Sequence, residues 1–339
     1  MITDLPTGKK VARFVVGTST AGWTAADCDY FCVGTDDQVE INNAITALPA
    51  TGGEIVILDG TYNIAAKIDV TKDNVSIVGN GDATILKRMF NSSTTEGVIT
   101  LISRSGCKIA NLQIDGNKGS YTSVNNNGIY LYSSSSNTVT GNTCNNNSYG
   151  IFLSNSSNNN AVTGNNCNNN NSYGICLNSL SNNNTVTGNT CNSNDYGIFL
   201  SNSSNNTVTG NNCNNNSSGI YLYLTSSNNT VTGNTCYNNS SGIYLYSSSS
   251  NNTVTGNTCI RGTGLSTDYT SSQHTIRLRQ TGNNYNLIAM NNCMGKAVTN
   301  EGGTGNTLVN NKFDATYDAT YGVGEEDKFL FFGWLMVHI

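Results

Sequence analysis

The chain is poor in charge. Asp, Glu, Lys and Arg make up 11% of its 339 residues, with 21 acidic side chains against 16 basic ones. That is less than half the usual globular share. Without clustered Lys and Arg there is nothing to neutralise a phosphate backbone, so a nucleic-acid partner is not expected. A disordered polyelectrolyte is excluded by the same numbers, because it needs high net charge and few apolar residues. No run of about 18 apolar residues exists, so no membrane insertion is expected. The opening segment MITDLPTGKKVARFVVGTSTAG has no apolar signal core, and a cleaved leader is not expected. There is no CxxC pair, no His–Cys cluster, no phosphate loop and no Ser-His-Asp arrangement, so neither a metal nor a cofactor is expected.

What is present is repetition. Between Gly119 and Ile260 the one charged residue is Asp195. In that stretch the motif N-T-V-T-G-N-T-C recurs with valines at 139, 162, 186, 208, 231 and 254, at intervals of 22–24 residues. Its cysteines, Cys144, Cys167, Cys191, Cys213, Cys236 and Cys259, keep the same intervals. A second motif, G-I-x-L, begins at Gly128, Gly150, Gly174, Gly197, Gly219 and Gly242, and weaker copies continue through Ile288…Cys293 and Leu308…Phe313. Val and Cys lie five apart, an odd step, so a bend must separate them, and Gly-Asn supplies it. Ile and Leu lie two apart and share one strand face. No helical period runs through this region. A unit of this size cannot bury its own apolar edge, but stacked units can, each strand pairing in parallel with its copy one rung away. Each repeated position then becomes a column. Val, Cys, Ile and Leu columns point inward. Asn142, Asn165, Asn189, Asn211, Asn234, Asn257, Asn291 and Asn311 form an asparagine ladder at the turn, each amide donating to one neighbour and accepting from the other.

These repeats resemble the right-handed parallel β-helix of the pectin-lyase-like superfamily, especially NosD-like proteins. The upstream segment G-T-D-D-Q-V-E-I-N-N-A-I from Gly34, followed by G-G-E-I-V-I-L-D-G-T-Y from Gly52, resembles the N-terminal cap of polysaccharide-active β-helices and phage tail spikes. The resemblance implies a fold rather than an activity, since this fold hosts lyases, hydrolases and non-enzymes. The expected fold is therefore an all-β, single-stranded right-handed parallel β-helix with a short capping helix. It divides into an N-terminal segment and capping helix (1–53), irregular first rungs (54–127), regular repeats (128–259), longer irregular rungs (260–315) and a tail (316–339). The cap is also legible from its residues. Asp37 with Glu40 is a capping-box pattern, Ile41, Ala44, Ile45 and Leu48 form one apolar stripe, and Pro49 ends it. Of the eleven cysteines, six form the inward column as free thiols, because stacked strands sit too far apart for a disulfide. Cys28 and Cys32 are free to pair or not, and Cys176, at an outward position, is the expected reactive thiol.

Function is sought on the outward positions of G-I-x-L-x. One column reads Tyr130, Phe152, Cys176, Phe199, Tyr221, Tyr244. The next reads Tyr132, Ser154, Asn178, Ser201, Tyr223, Tyr246, and both continue into Arg277 and Arg279. An exposed aromatic stripe flanked by amides and hydroxyls suits sugars. It could equally pack between protomers. Outward Thr pairs on the other strand (138/140, 185/187, 207/209, 230/232, 253/255) resemble those of ice-binding β-helices. A polar end site could form from Arg261, Asp268, His274, Arg277 and Arg279, although His274 shares the parity of Ile276 and Leu278 and should point inward or into the turn. A second polar group, Arg104, Lys108, Asp115 and Lys118, lies near the other end. Glycoside hydrolysis needs paired carboxylates, and the central rungs offer one acid and no base. The expectation is a non-catalytic extracellular or virion-surface rod. Its partner would be a carbohydrate or other cell-surface polymer, and it could assemble as a trimer or fibre. A polysaccharide lyase or hydrolase acting at an end rung, and a structural or ice-binding solenoid, are the alternatives.

Overall fold

The computed structural model describes residues 12–261 and 272–313. Asp268 and the tail from 316 onward lie outside them. The described chain is a coil of parallel strands arranged in three sheets of 15, 10 and 4 strands, and every strand pairing is parallel. The Thr-Val-Thr strands build the largest sheet, the Gly-Ile-x-Leu strands the second, and the Thr-Cys segments the third.

Like residues meet like. Val139 pairs with Val162, then Val186, Val208, Val231, Val254 and Ile288. Ile129, Ile151, Ile175, Ile198, Ile220, Ile243 and Ile276 stack in the second sheet. Cys236, Cys259 and Cys293 pair in the third. Through the middle rungs that third sheet thins to single bridges from Thr143 to Asn166, Thr190, Asn212 and Thr235. The Val, Cys, Ile and Leu columns are fully buried and form one continuous core. The bend between Val and Cys is a left-handed residue, Gly141 (φ 65°) and its copies, and at the C-terminal end Met290 and Asn310 take the same conformation.

A second glycine column has a different reason. A Cβ on Gly197 would lie 2.5 Å from the carbonyl oxygen of Gly219 and 3.0 Å from Cβ of Cys213. The cysteine column presses against the G-I-x-L strand, and a bare backbone is what lets it approach.

The asparagine ladder is present, and it is one of three. In the expected ladder, Asn211 Nδ2 donates to Asn234 Oδ1 (2.9 Å) and to the Val186 carbonyl (2.9 Å). Its own Oδ1 accepts from the Asn189 backbone N–H and from Asn189 Nδ2, both at 2.9 Å. The first Asn of each motif forms a second ladder, from Asn137 through Asn160, Asn184, Asn206, Asn229 and Asn252 to Asn286. Asn147, Asn170, Asn194, Asn216 and Asn239 form a third. Each amide thus satisfies backbone groups of the rungs on either side of it. The expected ladder begins abruptly. The rung before Asn142 presents Leu112, and Asn142 Oδ1 is buried without a partner.

The helix Gln38–Ala47 closes the N-terminal end, burying Ile41, Ala44, Ile45 and Leu48. Leu48 precedes Pro49 and is extended (ψ 151°), which stops the helix. The capping-box reading of Asp37 is corrected. Its carboxylate makes no helix cap; it accepts from Gly34 N (2.9 Å) and Asn63 N (2.7 Å), tying the preceding loop to the strand Gly60–Ile64. Desolvation is the main cause that raises its pKa. The helix also covers a free sheet edge. Asn42 Oδ1 accepts from Asp69 N in the terminal strand Ile68–Val70, and Gln38 Oε1 accepts from Ala65 N in the segment leading into it, so that edge is not left open to pairing with another chain.

The ladders carry a stability prediction. Asn211→Ala strands the buried Asn189 N–H and Val186 carbonyl, each worth roughly 1–3 kcal/mol when unsatisfied. The expected loss is about 2–6 kcal/mol in urea unfolding, whereas Thr207→Ala, at an exposed strand position, should stay within about 0.5 kcal/mol.

Candidate functional site

The first outward column does leave the coil, on the side of the second sheet opposite Ile and Leu. It is nevertheless not a free surface. Tyr130, Phe152, Cys176, Phe199, Tyr221 and Tyr244 are between 2% and 9% exposed and form a second apolar cluster outside the sheet. Two flanks cover them. On one side stand Tyr149, Tyr173 and Tyr196, which immediately precede Gly in their rungs; on the other stand Tyr223 and Tyr246, all five partly buried. Tyr132, 38% exposed, extends the second flank and lies 6.1 Å from Tyr130.

Each central ring has a cover from one flank. Where Tyr149, Tyr173 and Tyr196 stand, the opposite flank carries small Ser154, Asn178 and Ser201. Where Tyr223 and Tyr246 stand, the first flank carries Ser218 and Ser241. The cover therefore changes side along the coil, from Tyr132 on the second flank to Tyr149, Tyr173 and Tyr196 on the first and back to Tyr223 and Tyr246. Its rings contact closely: Tyr173–Phe199 at 4.7 Å, Tyr221–Tyr244 at 4.6 Å and Tyr223–Tyr246 at 5.7 Å are stacked, and Tyr149–Tyr173 meets edge-on at 4.5 Å.

Strict alternation hides the first flank. Tyr149 has the parity of Ile151 and would be assigned to the core, but its ring lies 5.0 Å from Phe152 on the outer face. The break falls at Gly150, where the cysteine column crowds the strand. The recurrence of Tyr-Gly-Ile in three rungs was the signal in the sequence. Cys176 is also corrected. It is 2% exposed within this cluster, and burial pushes its thiol far above the ordinary range, so it is not the reactive cysteine. Cys28 and Cys32 are both free.

The proposed polar end site divides. Arg277 and Arg279 continue the two outward columns, with Tyr244 pairing with Arg277 and Tyr246 with Arg279. Their guanidiniums lie over those rings, at 5.7 Å and 5.5 Å. Arg277 is paired with Glu301 through Nε (2.9 Å) and Nη2 (3.1 Å). Arg279 is exposed, and its Nη1 donates to the Tyr244 hydroxyl at 3.3 Å. Arg261 is instead fully buried at the register position of Asn239. His274 is buried, with Nδ1 3.0 Å from the Thr299 hydroxyl. Burial, then the nearby charges of Lys296, Arg277 and Arg261, lower its pKa to about 3. Among the described residues from 272 to 313, Glu301 is the one carboxylate, and it is held by Arg277. Among the described residues no second carboxylate joins it there. At the other end, Arg104 lies beside Asp73 (3.7 Å), and the Asp115 carboxylate accepts from Asn117 N and Asn146 Nδ2.

The largest sheet presents a different outer face. Thr140, Thr163, Thr187, Thr209, Thr232 and Thr255 stand in register, and Thr185, Thr207, Thr230 and Thr253 form a second rank. Some hydroxyls bond to one another, Thr163 to Thr140 at 2.9 Å. Leu287 and Ala289 end the ranks.

Sheets wound rung upon rung, with inward columns and amide ladders, define a right-handed parallel β-helix of the pectin-lyase-like superfamily. Within that class, the chain belongs to the NosD family. The family model described as "Periplasmic copper-binding protein (NosD)" matches residues 32–193, 66–262 and 179–329, overlapping placements such as a repeat produces. No curated protein sequence matches the chain. Among solved structures, DFA-IIIase from Arthrobacter chlorophenolicus A6 is similar with a TM-score of 0.68 and 15% identity, over 91% of this chain and 90% of that one. The Azotobacter vinelandii mannuronan C-5 epimerase AlgE4 A-module gives 0.62 and 15%, over 84% and 96%. The Dettilon tailspike protein (gp208) gives 0.59 and 17%, over 81% and 64%. At these identities the likeness is one of fold.

The family's description names copper, and the donor set does not fit it. The cysteine column from Cys144 to Cys293 is single file and sealed in the core, and the sequence between Cys144 and Cys259 contains no His or Met. Hydrogen bonds between neighbouring thiols and burial push Cys144, Cys191, Cys213 and Cys259 well up, while the same thiol–thiol bonds lower Cys167 and Cys236 to about 5, so it is the sealed single-file packing, and not the titration of the column, that leaves no open donor set. Among the described residues no group of three or more His, Cys, Asp or Glu gathers to hold an ion.

His274 supplies a pH test. An unfolded histidine titrates near 6.5, the folded one near 3. Between these values the unfolded chain takes up a proton that the folded chain does not. The folded state therefore has its full stability above pH ~6.5 and loses some of it as pH falls toward 3. His274→Gln should flatten this dependence, read as a smaller drop in urea midpoint from pH 7 to pH 4 than the parent shows.

Proposed function

We propose that this β-helix is a non-catalytic recognition rod that binds a carbohydrate polymer along its aromatic band, at an extracellular, periplasmic or virion surface. The observation that carries this reading is the aromatic band itself. Partly buried tyrosines line both flanks of a packed apolar ridge over six rungs, five of them carrying a ring and one Cys176. Tyrosine combines an apolar face with a hydroxyl, matching the C–H faces and hydroxyls of a sugar. Adjacent rungs repeat such rings ~4.8 Å apart, and because neighbouring rings stack face to face the ridge offers their edges and hydroxyls to a polymer lying along the axis. Support also comes from relatives of the same fold whose names include a mannuronan epimerase and tailspikes, and from a family described as periplasmic. Assembly as a trimer or fibre is compatible with this role. A catalytic role at the end rung finds little support, because His274 is buried and Arg277 is engaged by Glu301.

The central rings are structural, so the test uses the flank. Tyr223→Ala with Tyr246→Ala should lower binding on a glycan array by at least about tenfold, two lost ring contacts of ~1 kcal/mol each, with the far-UV spectrum unchanged. An array without hits for the parent protein would overturn the reading.

The threonine ranks favour a second reading, an ordered hydroxyl face that binds ice. Its expected signature is thermal hysteresis in cold solution that disappears in Thr209→Tyr.

A further inference from the structure

The strands under the aromatic band carry a pattern that covering the central rings does not require. From Tyr149–Ser154 to Ser241–Tyr246 they run Y-G-I-F-L-S, Y-G-I-C-L-N, Y-G-I-F-L-S, S-G-I-Y-L-Y and S-G-I-Y-L-Y. One end of each strand is tyrosine and the other is serine or asparagine. The rung before them keeps the rule, with Asn127 at one end and Tyr132 at the other. Rings at both ends would cover the central column better, so cover alone does not account for the small residues. Ser154, Ser201, Ser218 and Ser241 lie recessed beside the rings, 5–8% exposed. The face is a row of knobs and hollows that change sides twice.

From this arrangement we propose that the band is a self-docking face, on which a second copy of the chain packs side by side and in register about a two-fold axis parallel to the coil. That axis reverses the strand direction of the second copy, so the first residue of each strand faces the last residue of the same rung across the interface. Tyr149 faces Ser154, Tyr173 faces Asn178, Tyr196 faces Ser201, and Ser218 and Ser241 face Tyr223 and Tyr246. Every knob meets a hollow, and by symmetry does so twice, which is the condition for an isologous interface that closes as a dimer. With the second coil running the opposite way, the match shrinks to the four rungs from Tyr173–Asn178 to Ser241–Tyr246 and sets Tyr149 against His274. Charge fits the same arrangement. The axis places each central residue opposite its own copy, where a charge would meet its like. The central column is uncharged from Tyr130 to Tyr244, and Arg277 beyond it is neutralised by Glu301. The two Arg279 side chains fall on opposite edges of the pair. At ~4.8 Å per rung and ~3.3 Å per residue the face measures roughly 29 Å by 20 Å, so two copies bury roughly 1,200 Å², above the ~1,000 Å² of a specific interface. Leu180 and Leu224, 52% and 43% exposed, stand just past the second flank in left-handed conformations (φ 65° and 43°) that Ser156, Asn202 and Ser247 take in other rungs. Leucine is strained there, and the second copy gives both side chains an apolar contact. This goes beyond the carbohydrate reading. A polymer and a second copy need the same flanks, so they exclude one another.

The test is sedimentation equilibrium of the full chain from about 1 to 200 µM, where a modest interface of this size dissociates. The parent should approach twice the chain mass. Asn178→Tyr fills the hollow that Tyr173 enters and should weaken the pair at least about tenfold. Tyr173→Asn removes the knob and should weaken it by about as much. The double variant Tyr173→Asn/Asn178→Tyr reverses that rung in both copies and restores the match, so its dissociation constant should return to within about threefold of the parent. Far-UV spectra and urea midpoints of each variant separate folding from pairing. The proposal is overturned by a monomer throughout the range, by a trimer or larger assembly, or by a double variant no tighter than either single one, which is the result the opposite coil direction gives. A polymer that binds the parent on the array should, at saturation, halve the mass; a dimer that persists when saturated overturns the shared face. An array without hits removes the carbohydrate reading and leaves this one standing, while a monomer that binds glycans does the reverse.

Discussion

Axial pairing between identical side chains is the constraint on which the rest of this molecule depends. A solenoid rung has little contact with anything except the rungs above and below, so each position must be compatible with a copy of itself ~4.8 Å away. Asparagine meets that condition in polar positions because its amide both donates and accepts. Three ladders place it where the chain turns, and there each amide also takes up backbone groups of the adjacent rungs. The same condition accounts for the missing charge. A carboxylate or ammonium repeated every rung would stand directly over its like, and facing like charges are destabilising. Asp195 has no charged copy in the neighbouring rungs.

Apolar columns obey the rule by close fit. Cysteine is small enough to stack in single file against the bare glycine backbone, and any side chain on that glycine would meet a carbonyl of the next rung. The thiols thus belong to the packing of the core. This is the physical reason why a family description that names copper finds no open donor set in the column. Outside the sheet the rule produces a ridge of stacked rings, and a ring column in water needs cover. The flanks supply it alternately, tyrosine on one side wherever the other side is serine or asparagine. Recognition and stability are consequently built from the same residues, with the central rings serving packing and the flanking rings available to a partner.

The ends are where repetition stops, and there the chemistry changes. At the N-terminal end the capping helix uses Gln38 and Asn42 to satisfy the last free strand edge. At the C-terminal end, arginines replace tyrosines in both outward columns and continue the stack as cations over rings. A histidine takes the serine position of the first flank and is buried uncharged.

Repeat spacing by itself determined the coil, the parallel register, the inward Val, Cys, Ile and Leu columns and the first amide ladder, because a fixed period forces like positions to superimpose. The cap helix was also readable, as a short apolar stripe bounded by Pro49. Tertiary structure alone decided which outward rings are free. Alternation assigns a side chain to a face but says nothing of what stands beside it, so Tyr221 and Tyr244 read as a surface although their neighbours bury them. It also decided the side taken by Tyr149, Tyr173 and Tyr196, since the glycine that follows each of them interrupts the two-residue period under pressure from the cysteine column. Asp37 reads locally as a cap, but its carboxylate ties Gly34 N to Asn63 N, the second of them in a strand more than twenty residues away. Arg261, His274, Arg277 and Arg279 read as one charged group, and the rung separates them into buried and outward pairs. Each of these outcomes is set by contacts between rungs, and no window of sequence shorter than two rungs contains them.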